Sequence, residues 1–373
     1  MSLSEHATLA GIVEMAPGTF HTMLLKQDGS VWSTGVNSNA RSESFVRVIP
    51  TGAIAAAAGD DYSIVLKQDE TVWATGKNAK GQFSFFDGST STGRRAFFFV
   101  QRIVGAKSIA AGSHHTLILT KPGRVWATGW NKYGQLGDGS TDDRTKFLQV
   151  YYKGVKALAV AAGDVHSIIL KQGGSVLAMG RNYNGQLGDG SKVDKSYMAK
   201  VMSSGAADVA AGGSHSLVVK QDGSVCATGW NQYGQLGDGS TIDRINYVQV
   251  VSSSAKKVAA GRRHSMMLKQ DGSVWATGYN LYGQLGDGST SSSNVFVKAI
   301  PEAVKGIAAG AFHSMALVQD GGMWVTGSNE YGQFGDGGRT SQKNFVRLTL
   351  DDGAGHGMII YTRSVCIRFL FTV

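Results

Sequence analysis

Only two cysteines occur in the 373 residues, Cys226 and Cys366, which excludes a disulfide framework and a thiolate set for zinc and makes a reducing compartment the default. Prolines number 4 against 51 glycines, a balance that signals many tight turns rather than a collagen-like or disordered chain. No apolar run approaches the ~20 residues that span a bilayer. The opening MSLSEHATLAGIVEMAPG lacks a basic start followed by an apolar core, so a soluble protein of the cytoplasm or nucleus is expected. Although the net charge is +9, there is no run of five or six basic residues. The charge is therefore spread over the fold, and permits contact with nucleic acid, an anionic membrane or an acidic protein without choosing among them.

Motifs for covalent chemistry are missing as well. There is no GxxxxGK[ST] phosphate loop, GxSxG nucleophile turn, HExxH zinc helix or D-x-D-x-D-G calcium loop. The string GAGHG from Gly353 lacks the strand-turn-helix context of a dinucleotide site. Neither an enzyme nor a cofactor is expected.

What is present is a repeat. The element G-x-x-H-[ST] places histidines at His21, His115, His166, His215, His264 and His313, with Tyr62 in the same slot of the second unit, and the last four are 49 residues apart. Within a unit such as HSMMLKQDGSVWATG, from His264 to Gly278, two alternating apolar runs flank an Asp-Gly turn, a strong hairpin signal. A small-residue run such as KKVAAG precedes the histidine, and a run such as INYVQV follows GDGST. Each unit thus supplies about four strands. Four short strands cannot bury both faces of their sheet alone, and radial closure of seven such sheets solves this; an open β-solenoid is the runner-up, with turns usually shorter than this period and ends that need caps. The fold class read from the sequence is all-β, a seven-bladed β-propeller of four-stranded antiparallel blades. Its repeats fall at about 11–51, 52–103, 104–154, 155–205, 206–255, 256–303 and 304–350, within a single domain 1–350. The tail 351–373 begins like an eighth unit and then leaves the pattern; it is a candidate ring-closing strand.

The string G-x-N-x-Y-G-Q-L-G-D-G-S-T recurs with Asp138, Asp189, Asp238, Asp287 and Asp336 in register. A catalytic loop needs to be made once, whereas a structural turn recurs in every blade, so its glycines are read as positive-φ positions and its aspartate as an Asx-type turn. The histidines belong to different blades and have no carboxylates at fixed spacing, which favours hydrogen bonding between blades over a metal site. Tryptophans Trp32, Trp73, Trp126, Trp275 and Trp324 share one strand position that Leu177 and Cys226 fill in units 4 and 5. Apolar bulk in the core is thus their expected role. Six phenylalanines, Phe83, Phe85, Phe86, Phe97, Phe98 and Phe99, crowd unit 2, part blade core and part candidate exposed patch.

The combination G-x-x-H-[ST]-x-x-L, D-G-x-V-W-x-T-G and N-x-Y-G-Q-L-G-D-G at this period resembles the regulator of chromosome condensation repeat family. The resemblance implies a seven-bladed propeller, on which relatives carry out guanine nucleotide exchange on Ran, chromatin binding, plant ultraviolet-B sensing or interactions within ubiquitin ligases and ciliary proteins; fold alone does not select among these. The plant photoreceptor carries tryptophan just after the glycine of several G-x-x-H elements, where this chain has Thr19, Asp60, Ser113, Asp164, Gly213, Arg262 and Ala311, which argues against light sensing by that route. Exchange factors of the family insert a β-wedge from an enlarged blade and carry a basic N-terminal arm. Here the unit spacing stays between 41 and 53 residues, and no Lys or Arg precedes Gly11.

Connections in a propeller alternate between its two faces. The KQDG turns and inter-unit linkers share one face, which Lys153, Lys156, Lys171, Lys220, Lys256, Lys257 and Lys269 should make basic. The G-x-x-H and GQLGDG loops share the other. When units are nearly identical, partner choice must come from the positions that differ, and these lie on the second face: Asp60, Asp61, His114, Asp164, Arg262, Arg263 and Phe312, with Tyr233 and Tyr282 beside them. The leading expectation is a monomeric, non-catalytic scaffold that binds a protein partner through this face. The alternatives are a guanine nucleotide exchange factor for a Ran-like small GTPase, and chromatin or nucleic-acid binding through the basic face.

Overall fold

The computed structural model describes residues 10–37, 40–84, 94–151, 154, 156–300 and 302–348. Twenty-eight strands form seven antiparallel sheets of four, each built from consecutive strands. Blade 6 is representative, with strands Ala255–Ala260, His264–Lys269, Val274–Gly278 and Ser293–Ile300. Blades 1 to 7 start at Ile12, Ala53, Ala106, Ala157, Ala206, Ala255 and Val304. Among the described residues there is no helix, and hence none long and apolar enough to cross a membrane.

The first strand of each blade faces the axis. Its small-residue composition follows from how closely seven strands must converge there. A Cβ on Gly261 would lie 2.5 Å from the carbonyl oxygen of Gly310 in the next blade and 2.3 Å from the His264 ring. The same clash recurs around the ring, ending with Gly310 against Gly18. The core lies between blades rather than within them. One cluster, for example, joins Met266, Leu268 and Leu285 of blade 6 to Ala316, Val318 and Phe345 of blade 7.

The repeat histidines are fully buried, and each bonds to the following blade through Nε2. His21 reaches Ser63, His115 reaches Ser167, His166 reaches Ser216, His215 reaches Ser265, His264 reaches Ser314, and His313 returns to Thr22, all within 2.8–3.1 Å. Tyr62 fills the missing step by donating its hydroxyl to the carbonyl of His115 at 2.6 Å, with Thr116 at 3.0 Å. The inter-blade role expected of these histidines is thus a closed circuit.

The GQLGDG loop does more than turn. In blade 5 the Asp238 carboxylate accepts from the Ser240 amide at 3.0 Å, as an Asx turn should, and also from Asn231 and Arg244. The loop then reaches into the next blade, where Gly239 donates its amide to the carbonyl of Asn294 at 2.9 Å. Equivalent amide bonds run from Gly139, Gly190, Gly288 and Gly337 to Ser196, Ile245, Lys343 and Glu43. The last of these joins blade 7 to blade 1, alongside Thr34 on the Gly332 carbonyl and an Arg339–Glu43 ion pair. The tail 351–373, with its candidate ring-closing strand, lies outside the described residues.

Two expectations from the sequence are refined. Of the five repeat tryptophans only Trp32 is buried; Trp73, Trp126, Trp275 and Trp324 are half-buried. They lie next to the KQDG turn, where the indole N–H of Trp275 donates to Ser273 at 3.0 Å and the Lys269 ammonium sits 4.3 Å from the ring centroid. Lys26 on Trp32 and Lys67 on Trp73 repeat this cation–π contact. In the phenylalanine-rich unit, Phe83 is fully buried and packs on Tyr62 and Phe98. Phe99 is 49% exposed, and Phe85 and Phe86 lie outside the described residues.

Candidate interaction face

Both loop types that carry variable residues emerge on one face, as the strand order requires. The residue directly after each axial glycine lines a central mouth, formed by Thr19, Asp60, Ser113, Asp164, Gly213, Arg262 and Ala311 above a cavity of about 100 Å³. That space is well below the roughly 300 Å³ at which small-molecule sites begin. Its polar groups are engaged with one another. Thr19 donates to Asp60 at 2.5 Å and Ser113 to Asp164 at 2.9 Å. Arg262 of blade 6 crosses Gly213 of blade 5 to pair with Asp164 of blade 4 at 3.0 Å. Glycine is needed at that crossing, because a Cβ there would lie 2.5 Å from the Arg262 carbonyl oxygen, besides pressing on the Arg262 side chain at 3.1 Å and the Asp164 carboxylate at 3.2 Å. Burial pushes the Asp164 carboxyl above the usual range, against the pull of Arg262.

Outside the mouth, the residue before the histidine in blades 6, 7 and 1 meets the tyrosine of the preceding blade's GQLGDG loop. Tyr282 packs at a tilt against Phe312 at 5.5 Å between ring centroids, and Tyr331 against Phe20 at 4.7 Å. Tyr233 meets Arg263, whose guanidinium carbon lies 5.4 Å from the Tyr233 ring centroid, 5.6 Å from Trp230 and 5.7 Å from Tyr279. Tyr233 and Tyr279 pack edge to face at 4.8 Å, and Tyr279 continues to Tyr282 and Phe312. A second group contains His114, Trp130 and Tyr133, with Arg181 lying 5.0 Å from the Tyr133 ring. The result is an arc of half-buried rings with two arginines set into it.

Of the face residues singled out in the sequence, Asp60, Asp164 and Arg262 therefore belong to the mouth. Arg263, Tyr233, Tyr282, Phe312 and His114 belong to the arc, and Asp61 pairs with Lys77 at 3.7 Å. Arg181 and Tyr279 were not singled out. They occupy the position directly after the third-strand glycine, which reads Val36, Lys77, Trp130, Arg181, Trp230, Tyr279 and Ser328 around the ring, as variable as the positions that were chosen. On the opposite face Lys156, Lys256 and Lys257 are exposed, while Lys171, Lys220 and Lys269 are half-buried; Lys153 lies outside the described residues. Among the described residues no group of three His, Cys, Asp or Glu side chains could hold a metal ion.

Seven blades with a histidine circuit and GQLGDG staples agree with the comparisons with known proteins. Residues 2–245 match the RCC1-like domain family, and residues 255–284, 271–317 and 304–333 match regulator of chromosome condensation (RCC1) repeats. The chain belongs to the RCC1-like domain family. A 90-residue stretch, 24% of this RCC1-like chain, is 38% identical to the ultraviolet-B receptor UVR8 of Arabidopsis thaliana and covers 20% of it. A 98-residue stretch, 26% of the chain, is 37% identical to the probable E3 ubiquitin-protein ligase HERC4 of Homo sapiens and covers 9% of it. The matched stretch thus spans a fifth or less of either relative. Among solved structures, Prp20p from Saccharomyces cerevisiae, described with its binding properties to Gsp1p and histones, superposes with a TM-score of 0.75 at 19% identity, over 95% of this chain and 92% of that one. This last likeness is one of fold.

Proposed function

We propose that this RCC1-like chain is a non-catalytic scaffold that binds a protein partner through the face bearing the mouth and the aromatic arc. The observation that carries the reading is the arc itself. Residues that vary from blade to blade converge there on a frame that barely varies, and they are the Tyr, Trp and Arg types that dominate interface energetics. The mouth has too little free space for a sizeable ligand, and its charged groups are engaged there, Asp164 with Arg262 and Asp60 with Thr19, so recognition falls to the rim.

Prp20p binds Gsp1p, which keeps guanine nucleotide exchange as the competing reading. Against it stands the shape of blade 1, where the expected loop is replaced by a hairpin that continues only to Asn37 and Ala40, and no described blade carries an added pair of strands. Release of a fluorescent guanine nucleotide from a purified Ran-type GTPase, with this protein at catalytic concentration, tests the choice. The scaffold reading expects the spontaneous rate. Acceleration that disappears on Arg262→Glu and Arg263→Glu replacement would establish an exchange factor instead. Phosphate-backbone binding through the lysine face is the third reading, and it expects steeply salt-dependent DNA binding that falls with Lys256→Glu and Lys257→Glu.

A further inference from the structure

Most arginines whose side chains are described on this protein have an acid at hand. Arg102 pairs with Glu70, Arg144 with Asp138, Arg244 with Asp238, Arg262 with Asp164, Arg339 with Glu43 and Arg347 with Asp320. Arg263 and Arg181 have none among the described residues and are held by rings instead. The guanidinium carbon of Arg263 sits 5.4–5.7 Å from three ring centroids, and its nearest polar partner is the Tyr233 hydroxyl at 3.5 Å. Arg181 is flanked by Tyr133 at 5.0 Å and Tyr183 at 5.7 Å.

Ring contacts orient a guanidinium and remove part of its hydration, yet they use none of its five N–H donors, and on Arg263 the long bond to the Tyr233 hydroxyl engages one of the five. Such a group is pre-organised for the fork geometry of a carboxylate, and ordering it on binding costs little. The acids at the mouth are already engaged, Asp164 by Arg262 and Asp60 by the Thr19 hydroxyl.

We propose that Arg263, fixed by Trp230, Tyr233 and Tyr279, anchors a carboxylate of an acidic peptide segment of the partner, with Arg181, two blades away on the same arc, receiving a second. The inference rests on the scaffold reading and gives its binding face a chemistry. A segment crossing blades 4 to 6 places acidic side chains on the arginines and its remaining surface against the rings.

The test is fluorescence anisotropy with a short fluorescein-labelled peptide of alternating Glu and Ser, alongside its Gln/Ser and Lys/Ser counterparts. Quenching of intrinsic tryptophan emission reports contact near Trp230. Expected is binding of the Glu peptide alone, weakened about tenfold or more by Arg263→Gln. Arg263→Lys should weaken it nearly as much, because the planar fork is lost, and Arg181→Gln about threefold. Lys256→Gln with Lys257→Gln on the opposite face should leave it unchanged. Thermal melts of each variant establish that the propeller is folded.

Binding of the Glu peptide that survives both arginine substitutions and falls with the lysine pair would overturn the proposal. So would equal binding of the Gln peptide, or no binding of the Glu peptide. Arg263-dependent binding of the Gln or Lys peptide would reject the acidic chemistry while leaving the rim as the binding face, so failure of the inference is distinguishable from failure of the scaffold reading.

Discussion

Acidification is expected to open this propeller well above the pH at which ordinary carboxylates titrate. Burial lowers the six circuit histidines from 6.5 to about 3 for His115, His166, His264 and His313 and about 4 for His21 and His215. The hydrogen bonds explain why. In blades 4 to 7 the serine that meets Nε2 gives its own proton to a backbone carbonyl, as Ser265 does to Gln235 at 2.6 Å and Ser314 to Gln284 at 2.7 Å. It must therefore accept from Nε2–H, which leaves Nδ1 as the bare nitrogen. All six Nδ1 atoms are buried without a protein partner, so a proton added there would be a buried charge with no acceptor.

Because the folded pKa lies below the unfolded value, the unfolded chain binds more protons between about pH 4 and 6.5. The histidine contribution is fully present above that window and lost as pH falls through it. At pH 5 each histidine contributes about 2 kcal/mol of destabilisation relative to neutral pH, and six contribute about 12 kcal/mol, the size of a whole domain's stability. Glu14, Asp164 and Asp208, raised by burial, act in the opposite direction and offset part of this. Urea midpoints followed by tryptophan fluorescence from neutral pH to pH 5 should fall steeply, with a linkage approaching six protons. His264→Gln should reduce the linkage by about one proton. A midpoint that stays flat over this range would refute the argument, since it would mean that the imidazoles accept protons in place.

Two substitutions test the geometry of the ring and its loops. Gly261→Ala forces a Cβ to 2.3 Å from the His264 ring and 2.5 Å from the Gly310 carbonyl and should cost about 3 kcal/mol. Gly239→Ala, at φ +80° with no atom within 4 Å, should cost only about 1 kcal/mol of backbone strain; equal urea midpoints for the two would refute the packing account. Asn231→Ala removes bonds to Asp238, Ser240 and Ile242 and leaves the Leu236 amide unpaired. A loss of about 3 kcal/mol is expected, measured as a lowered melting temperature.

The blade count and strand order were legible because they depend on local signals: Asp-Gly turns, alternation within strands, and a fixed period. The Asx turn at Asp238 and the use of the histidines between blades were legible for the same reason, since a residue repeated without chemical partners has structural work to do. Pairings that skip a blade were not. Arg262 and Asp164 are 98 residues apart, and nothing in either unit announces that Gly213 between them would let the side chains meet. The difference between the neighbouring arginines, one paired with an acid and the other set among rings, likewise depends on which way each side chain leaves a two-residue loop.

The loss of the GQLGDG string from unit 1 is legible as an irregularity, but its consequence depends on knowing that each loop grips the following blade. Five loops donate a glycine amide to the outer strand of the next blade, and the loop of blade 2 reaches blade 3 through Thr116 on the Gln82 carbonyl and Thr128 on the Gly81 carbonyl. Among the described residues, blade 1 extends no such loop contact to blade 2. Their seam relies on the His21–Ser63 bond, the Thr19–Asp60 bond, the Ala56 amide on the Glu14 carboxylate, the Ala53 amide on the Gly29 carbonyl and a core shared by Leu25, Ile49 and Val65. In a ring of like units, local opening should begin where the nearest-neighbour interface is weakest. Amide exchange in the strands Tyr62–Lys67 and Thr71–Gly76 should therefore outpace exchange in His264–Lys269 and Val274–Gly278 by about tenfold or more, equivalent to roughly 1.4 kcal/mol less protection. Equal protection in the two blades would mean that the ring behaves as one cooperative unit, in which loss of a single staple is shared by all seven seams.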